Sequence, residues 1–331
     1  MLPDALPTKV LITGASGFIG TNLRRALLEA GVDVVAIRRP RSPEPTEGRS
    51  VVATYDDVDA LARIVREEKP DVLYHVAGAT KGVTYEDFQR ANVMPTRNLL
   101  RAAADGHPGL GRFLHVSSVV AYGPSRPEEP HREDAPRRPI EHYGRSKLEA
   151  EEVVEAEERI PWTIVRPGGV YGPGDVDYFN LFREVERGRN LFFGNRRRWF
   201  SSIYVDDCVR GIVASAQGEA TTGRGYFLCD PEPVTWEGFQ RAIAAESGRP
   251  RVREVDLPEF LTGLAALGGE LVTRMDGRPR LFNRQKVKMS SADAWTASGE
   301  RAEEDFGFRP GVALREGVRR SFRWYREAGW L

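Results

Sequence analysis

Three side chains that could move a proton follow one another near the middle of the chain: Ser118, Tyr143 and Lys147. Tyr143 and Lys147 are four residues apart at the start of a segment with helical periodicity, which places the phenol and the ammonium on one helix face. A tyrosine with an ordinary pKa of about 10 is a poor proton relay at neutral pH, and a nearby positive charge lowers that pKa. Tyr and Lys at this spacing often arise by chance, but Ser118 follows the apolar run 113–116 at the edge where parallel sheets bind ligands, which makes the trio a candidate site for proton transfer.

A glycine-rich segment near the N-terminus indicates phosphate binding. It directly follows the apolar run 10–12 and opens a helical segment, and its candidate contacts are Gly14, Ser16, Gly17, Phe18, Ile19 and Gly20. Backbone amides and the positive helix end at such a place bind the pyrophosphate of a dinucleotide. The alternative is a plain strand-to-helix turn, which the flanking strand and helix disfavour.

The end of the second predicted strand distinguishes the two nicotinamide cofactors. An acidic residue there binds the ribose 2′-hydroxyl of NAD, whereas arginine accommodates the 2′-phosphate of NADP. Arg38 and Arg39 occupy this place, while Asp33 stands too early in the strand. We therefore expect NADP(H), with NAD(H) as the alternative if both arginines are solvated loop residues. Asp56 is a further candidate, near the adenine, although helix capping explains an aspartate at 56 or 57 equally well.

The elements that must position these groups alternate along the first half of the chain. Apolar runs at 10–12, 32–37, 72–76, 113–116 and 162–165 predict strands buried on both faces. Between them, 21–30, 58–68, 85–104 and 143–158 have helical periodicity. The alternation predicts an α/β fold with a Rossmann-like, doubly wound parallel sheet.

The alternation weakens after Tyr171, and 331 residues are enough for two domains. We expect an NAD(P)-binding domain over 1–170 and a smaller, mainly substrate-binding domain over 171–331, with a strand near 203–228 returning to the sheet. Helices are predicted at 236–246 and 314–327, and Asp206 with Asp207 is expected to cap a helix over 208–216. The apolar stretch 257–271 indicates a greasy pocket or lid helix, or equally an ordinary core helix.

Composition disfavours several classes of partner. Lys plus Arg and Asp plus Glu are both 48, so no net positive field attracts nucleic acid. No stretch approaches the about 20 apolar residues of a membrane span, and the N-terminus lacks the pattern of a secretory signal. Cys208 and Cys229 form neither a CxxC motif nor a metal cluster. We expect a cytoplasmic protein with a small-molecule substrate and without a metal, a nucleic acid or a membrane as partner.

Further motifs occur in a fixed order along the chain: Thr13 to Gly20, His75-Val76-Ala77-Gly78, Asn92 with Thr96 and Asn98, Val116-Ser117-Ser118 with Ala121-Tyr122-Gly123, Tyr143 to Lys147, Arg166-Pro167 with Val170-Tyr171-Gly172-Pro173, and Ile203-Tyr204-Val205-Asp206-Asp207. Over nearly its full length the chain resembles an extended short-chain dehydrogenase/reductase of the NAD-dependent epimerase/dehydratase group.

The resemblance implies a hydride-transferring enzyme in which Ser118, Tyr143 and Lys147 are catalytic. Tyr143 would be the acid in reduction and the base in oxidation, and Lys147, together with the oxidised nicotinamide, would lower its pKa. The residues implied to contact the cofactor are Ala77, Gly78, Thr80, Val116, Tyr143, Lys147, Pro167 and Val170. The helices over 85–104 and 143–158 would form a homodimer interface.

Three functions remain open. Residues 198–207 look closer to hydroxysteroid-dehydrogenase-like and dihydroflavonol-reductase-like members. This favours an NADP(H)-dependent reductase or dehydrogenase that interconverts a ketone or aldehyde, which a greasy pocket would make an apolar one, and an alcohol. The runner-up is a nucleotide-sugar epimerase with tightly bound NAD. The third is a non-catalytic NADP-binding redox sensor, which the presence of Tyr143 and Lys147 disfavours.

Overall fold

The computed structural model describes residues 2–3, 5–258, 288–289 and 291–331. Most of the apolar stretch 257–271 therefore lies outside the described residues. The strands are β1 (Lys9–Thr13), β2 (Asp33–Arg38), β3 (Arg49–Val52), β4 (Val72–His75), β5 (Arg112–Val116), β6 (Trp162–Pro167), β7 (Gly169–Tyr171), β8 (Arg189–Phe193), β9 (Trp199–Phe200), β10 (Ser202–Tyr204), β11 (Arg224–Leu228), β12 (Val234–Thr235), β13 (Arg253–Leu257) and β14 (Ala294–Trp295). The α-helices are α1 (Phe18–Glu29), α2 (Val58–Glu68), α3 (Tyr85–Phe88), α4 (Met94–Gly106), α5 (His142–Glu155), α6 (Phe179–Glu186), α7 (Val205–Ser215), α8 (Trp236–Glu246), α9 (Glu300–Phe306) and α10 (Leu314–Glu327).

Seven strands form one parallel sheet in the order β11-β6-β5-β4-β1-β2-β3. The predicted doubly wound α/β fold is confirmed. The three central residues of β1 are apolar because both faces of the strand are covered: Val10 and Ile12 belong to the core on one face of the sheet, and Leu11 to the core on the other. Side chains alternate in direction along a strand, so a strand covered on both faces favours apolar residues at successive positions.

The helix predicted over 85–104 contains a single π-helical turn, Gln89–Val93, between α3 and α4. Pro95 at the start of α4 has no amide hydrogen for the carbonyl four residues earlier, and its ring clashes with that carbonyl in a regular helix. The wider turn accommodates it. Asn92, within this turn, is buried and faces the loop after β4.

The second half of the chain builds three small sheets, β10-β7, β12-β9-β14 and β13-β8, beside the main one. The predicted cap at Asp206 and Asp207 is wrong: α7 already begins at Val205, so both aspartates lie in its first turn. Asp207 instead accepts hydrogen bonds from the amides of Gly311 and Val312, at 2.9 and 2.7 Å, and so holds the segment before α10.

None of the described helices is both long enough and apolar enough to cross a bilayer. Within the same residues no cluster of three or more His, Cys, Asp or Glu side chains could hold a metal ion. Both cysteines are buried and free.

Candidate active site

The sheet brings Ser118, Tyr143 and Lys147 together at its carboxyl edge. Ser118 follows β5, and the other two lie in the first turns of α5. Glu141 fixes the start of that helix, because its buried carboxylate accepts hydrogen bonds from the amides of Tyr143 and Gly144, at 2.6 and 2.5 Å. The Ser118 side chain hydrogen-bonds the Tyr143 phenol.

Burial decides the protonation of Tyr143. It raises the pKa of the phenol well above its ordinary value, Glu141 raises it further, and only the hydrogen bond with Ser118 acts in the opposite direction. Sequence reasoning predicts that Lys147 lowers this pKa, but Lys147 is not among the groups that act on it here. The phenol is therefore protonated at neutral pH and can act as a hydrogen-bond donor.

The Lys147 ammonium lies beneath the same edge of the sheet. Its Nζ donates to the Val116 carbonyl at 2.9 Å, and the residue is 4% exposed. Burial lowers the pKa of Lys147 to about 8, against a smaller opposing effect of Glu151. A Cβ at Gly78 would lie 3.1 Å from Nζ, so the glycine lets the loop after β4 close over the ammonium.

A buried polar chain supports that loop from below. His75 Nδ1 lies 2.7 Å from Thr13 Oγ1, and its Nε2 lies 2.9 Å from Thr96 Oγ1. Burial, followed by the charge of Lys147, lowers the pKa of His75 to about 3, so the ring is neutral. Asn92 accepts from the Ala79 amide at 2.7 Å and donates to Ser146 Oγ at 2.8 Å, which ties the loop to α5.

The glycine loop between β1 and α1 has the geometry of a dinucleotide cradle. Gly14 has φ +72°, and a Cβ there would lie 2.6 Å from the Ala77 amide nitrogen; one at Gly20 would overlap the Gly14 carbonyl oxygen. No side chain caps the start of α1 at Gly17, and its first turn contains no acidic residue. The amides and the positive helix end are thus available to an anion, and the loop fits a pyrophosphate.

The paired arginines lie at the end of β2, as the sequence predicts. Arg38 Nε donates to Ser50 Oγ at 3.3 Å, and a guanidinium nitrogen lies 3.7 Å from Glu44, which is mostly exposed. Arg39 is exposed. Asp33 stands at the opposite end of the strand, 3.3 Å from Arg49, and cannot reach a ribose at the carboxyl edge.

Most of the other predicted cofactor contacts reach the same edge. Ala77, Gly78 and Thr80 follow β4, Val116 ends β5, Pro167 ends β6, and Val170 lies in β7.

Asp56 is exposed in the turn before α2, and its neighbour Asp57 caps that helix by accepting from the Ala60 amide at 2.9 Å. Its other neighbour, Tyr55, which sequence reasoning missed, reaches the glycine loop with hydrogen bonds to the Thr13 side chain and the Gly14 backbone. A tyrosine in a turn gives no phosphate-binding signal in a sequence.

Comparison with known proteins agrees with this geometry. The model of the NAD dependent epimerase/dehydratase family matches residues 10–228. The chain belongs to this family. It is an NAD(P)-dependent oxidoreductase of the extended short-chain dehydrogenase/reductase type, and the family binds nicotinamide cofactors.

Within the family, the chain is 30% identical to the ceramide reductase of Caulobacter vibrioides over 328 residues, covering 97% of this chain and 96% of the relative. It is 29% identical to the 2-alkyl-3-oxoalkanoate reductase of Stenotrophomonas maltophilia, covering 94% and 98%. The fold is that of the UDP-glucose 4-epimerase of Thermotoga maritima, with a TM-score of 0.79, 21% identity and coverage of 97% and 99%.

Proposed function

We propose that the protein is an NADP(H)-dependent oxidoreductase that reduces a ketone or aldehyde to an alcohol, or catalyses the reverse reaction. The observation that carries the proposal is the geometry of the partly buried Tyr143, whose phenol is hydrogen-bonded to the Ser118 side chain and stays protonated. A protonated, desolvated donor suits a substrate oxygen that becomes negative during reduction.

The side chains have distinct roles in this reaction. A bound nicotinamide supplies the hydride for the carbonyl carbon. Ser118 and Tyr143 hydrogen-bond the carbonyl oxygen, and Tyr143 then gives it the phenolic proton, which completes the alcohol. The Lys147 ammonium, which donates to the Val116 carbonyl at the same edge, would hold the ribose of the bound nicotinamide.

The preference for NADP(H) rests on Arg38 and Arg39. Arg38 is held at the end of β2 by Ser50 and by the mostly exposed carboxylate of Glu44. A 2′-phosphate can take the place of that carboxylate on the guanidinium. A guanidinium binds phosphate through two parallel hydrogen bonds, which no neutral residue reproduces. The glycine loop would hold the pyrophosphate through its amides.

A turnover assay tests the proposal. Purified protein is mixed with NADPH and a panel of ketones and aldehydes, and consumption of NADPH is followed with the alcohol product. We expect consumption that depends on the carbonyl compound and requires Tyr143. Interconversion of a UDP-sugar without net NADPH consumption would instead support the epimerase, and binding of NADPH without turnover of any carbonyl compound would support the sensor.

We also propose a homodimer and a cytoplasmic location. The dimer would pair α3–α4 and α5, which already contact each other within one chain through Tyr85 and Glu149. Sedimentation at several protein concentrations tests it, and a monomer at all of them would contradict it. The location fits an enzyme that uses the NADPH of the cytoplasm, and a tagged chain followed in cells tests it.

A further inference from the structure

Three aromatic rings stack beside β7, the strand that contains the predicted cofactor contact Val170. Phe200 and Trp236 are stacked at 4.4 Å between ring centroids, and Tyr178 lies nearly parallel to both, at 6.4 and 6.1 Å. Phe200 is 5% exposed, whereas Tyr178 and Trp236 are partly exposed. The three residues, called the aromatic wall below, come from three separate segments of the second half of the chain.

Two contacts place the aromatic wall next to the active site. Gly169 lies between Pro167 and Val170, and a Cβ there would overlap the Tyr178 hydroxyl and lie 3.4 Å from the Phe200 ring. Asp177, the neighbour of Tyr178, pairs at 2.8 Å with Lys81 from the loop after β4, the loop whose Gly78 covers Lys147. The wall therefore stands on the substrate side of the catalytic edge.

The Tyr178 hydroxyl has no hydrogen-bond partner among the described residues, although its backbone amide is bonded to Asp175 at 2.8 Å. Burial and the charges of Asp175 and Asp177 raise the pKa of the phenol, so its proton stays on the oxygen. A ligand oxygen at this point would accept a hydrogen bond from the hydroxyl. Glycine at residue 169 leaves the space that the Tyr178 hydroxyl occupies, because a Cβ there would overlap it.

We propose that the aromatic wall recognises the substrate: Phe200 and Trp236 pack against an uncharged, apolar body, and the Tyr178 hydroxyl donates a hydrogen bond to a second oxygen of the same ketone. The inference rests on the proposed reductase function and names its substrate class, an apolar ketone with a neighbouring oxygen-bearing group. Tyr178 is a specificity-determining residue in this account, and Ser118, Tyr143 and Lys147 keep the chemistry.

The surroundings of the aromatic wall fit an uncharged ligand better than a nucleoside diphosphate. The Arg196 side chain on the nearby turn is paired with Glu237 at 3.5 Å and with Glu254 at 2.8 Å. The Lys81 ammonium is paired with Asp177. A diphosphate at the wall would have to displace carboxylates from these cations and would face three aromatic rings.

The test compares a long-chain methyl ketone with the β-keto ester of the same chain, in wild type and in Tyr178→Phe. Comparing the ratio of the two kcat/KM values between wild type and variant cancels the intrinsic difference in reactivity between the two substrates. We expect Tyr178→Phe to lower kcat/KM for the β-keto ester about tenfold, the effect of one hydrogen bond, and that for the methyl ketone less than about twofold. An unchanged ratio would overturn the role of Tyr178.

Two further variants make the result independent of a folding defect. Gly169→Ala inserts a methyl group where the Tyr178 hydroxyl lies and should reproduce the changed ratio, provided that the NADPH affinity measured beside it is retained. Trp236→Ala should raise KM for a long-chain ketone about tenfold more than for a short one. Its matched control is Trp199→Ala, a neighbour of Phe200 whose side chain is exposed and which should leave both KM values unchanged.

The outcomes separate the two proposals. If wild type reduces ketones, but the wall variants keep its ester preference and its chain-length dependence, the role of the aromatic wall is overturned. The reductase function then still stands. Failure of wild type to reduce any ketone with NADPH or NADH overturns the reductase and, with it, the role assigned to the wall.

Discussion

The cofactor-binding and substrate-binding regions of the molecule are built on different principles. At the carboxyl edge of the sheet, recognition depends on backbone: glycines that let chains approach, a helix start without a cap, and a carbonyl that holds Lys147. At the aromatic wall, recognition depends on the side chains of Tyr178, Phe200 and Trp236, which are far apart in sequence. Backbone recognition constrains residue types at fixed spacing, whereas side-chain recognition does not.

The largest effect that the comparison predicts comes from one oxygen atom in the cofactor-binding region. Tyr143→Phe removes the proton donor and leaves the ring in place, so kcat should fall at least about a thousandfold. NADPH affinity, measured by fluorescence titration, should change less than about threefold. Tyr85→Phe, which removes a surface phenol bonded to Glu149, is the control and should keep kcat. Residual activity above a few per cent in Tyr143→Phe would contradict the mechanism.

A second prediction tests the backbone principle with two glycines of positive φ. Gly14→Ala puts a methyl group 2.6 Å from the Ala77 amide and should lower the free energy of unfolding by about 3 kcal/mol, with loss of cofactor binding. Gly31→Ala has φ +83° and nothing within 4 Å of the added atom, so only conformational strain of about 1 kcal/mol remains. Urea unfolding measures both. Equal losses would show that close approach at Gly14 does not matter.

The same difference explains how far the sequence could be interpreted. The strands of the sheet, the glycine loop and the helix with Tyr143 and Lys147 follow from periodicity and spacing, because local backbone geometry dictates them. The π-helical turn at Asn92 was not predicted, since it arises from Pro95 within a longer helix. The sequence predicts a local capping role for Asp207, yet its partners lie more than a hundred residues away. The aromatic wall likewise depends on tertiary contacts that no local pattern contains.

A third prediction sharpens the comparison in the second half of the chain. Asp207→Ala removes the buried carboxylate that accepts from the amides of Gly311 and Val312, and the loss of two hydrogen bonds to a charged group should lower the free energy of unfolding by about 2 kcal/mol. Asp206→Ala removes the half-exposed neighbouring carboxylate and should cost less than about 0.5 kcal/mol. If thermal unfolding gave equal losses, Asp207 would have no anchoring role.

A smaller effect is expected from pH. Burial lowers the pKa of Lys147 to about 8, so the ammonium is present below that pH and is lost as the pH rises through it. The kcat for ketone reduction should therefore fall above about pH 8, by up to tenfold per pH unit. Lys147→Arg keeps a charge throughout this range and should move the decline to higher pH. At about pH 10, roughly two units above the pKa of Lys147, almost all of the ammonium is lost. A flat profile in wild type up to that pH would therefore contradict the role of the ammonium.

The central claim, an NADP(H)-dependent reductase, is tested most directly by the affinities for NADPH and NADH, measured in wild type and in Arg38→Ser after any bound nucleotide has been released and identified. We predict little retained nucleotide, an NADPH preference of at least about tenfold in wild type, and loss of that preference in Arg38→Ser through weaker NADPH binding alone. Tightly retained NAD, or a preference for NADPH that survives in Arg38→Ser and in Arg39→Ser, would contradict the account.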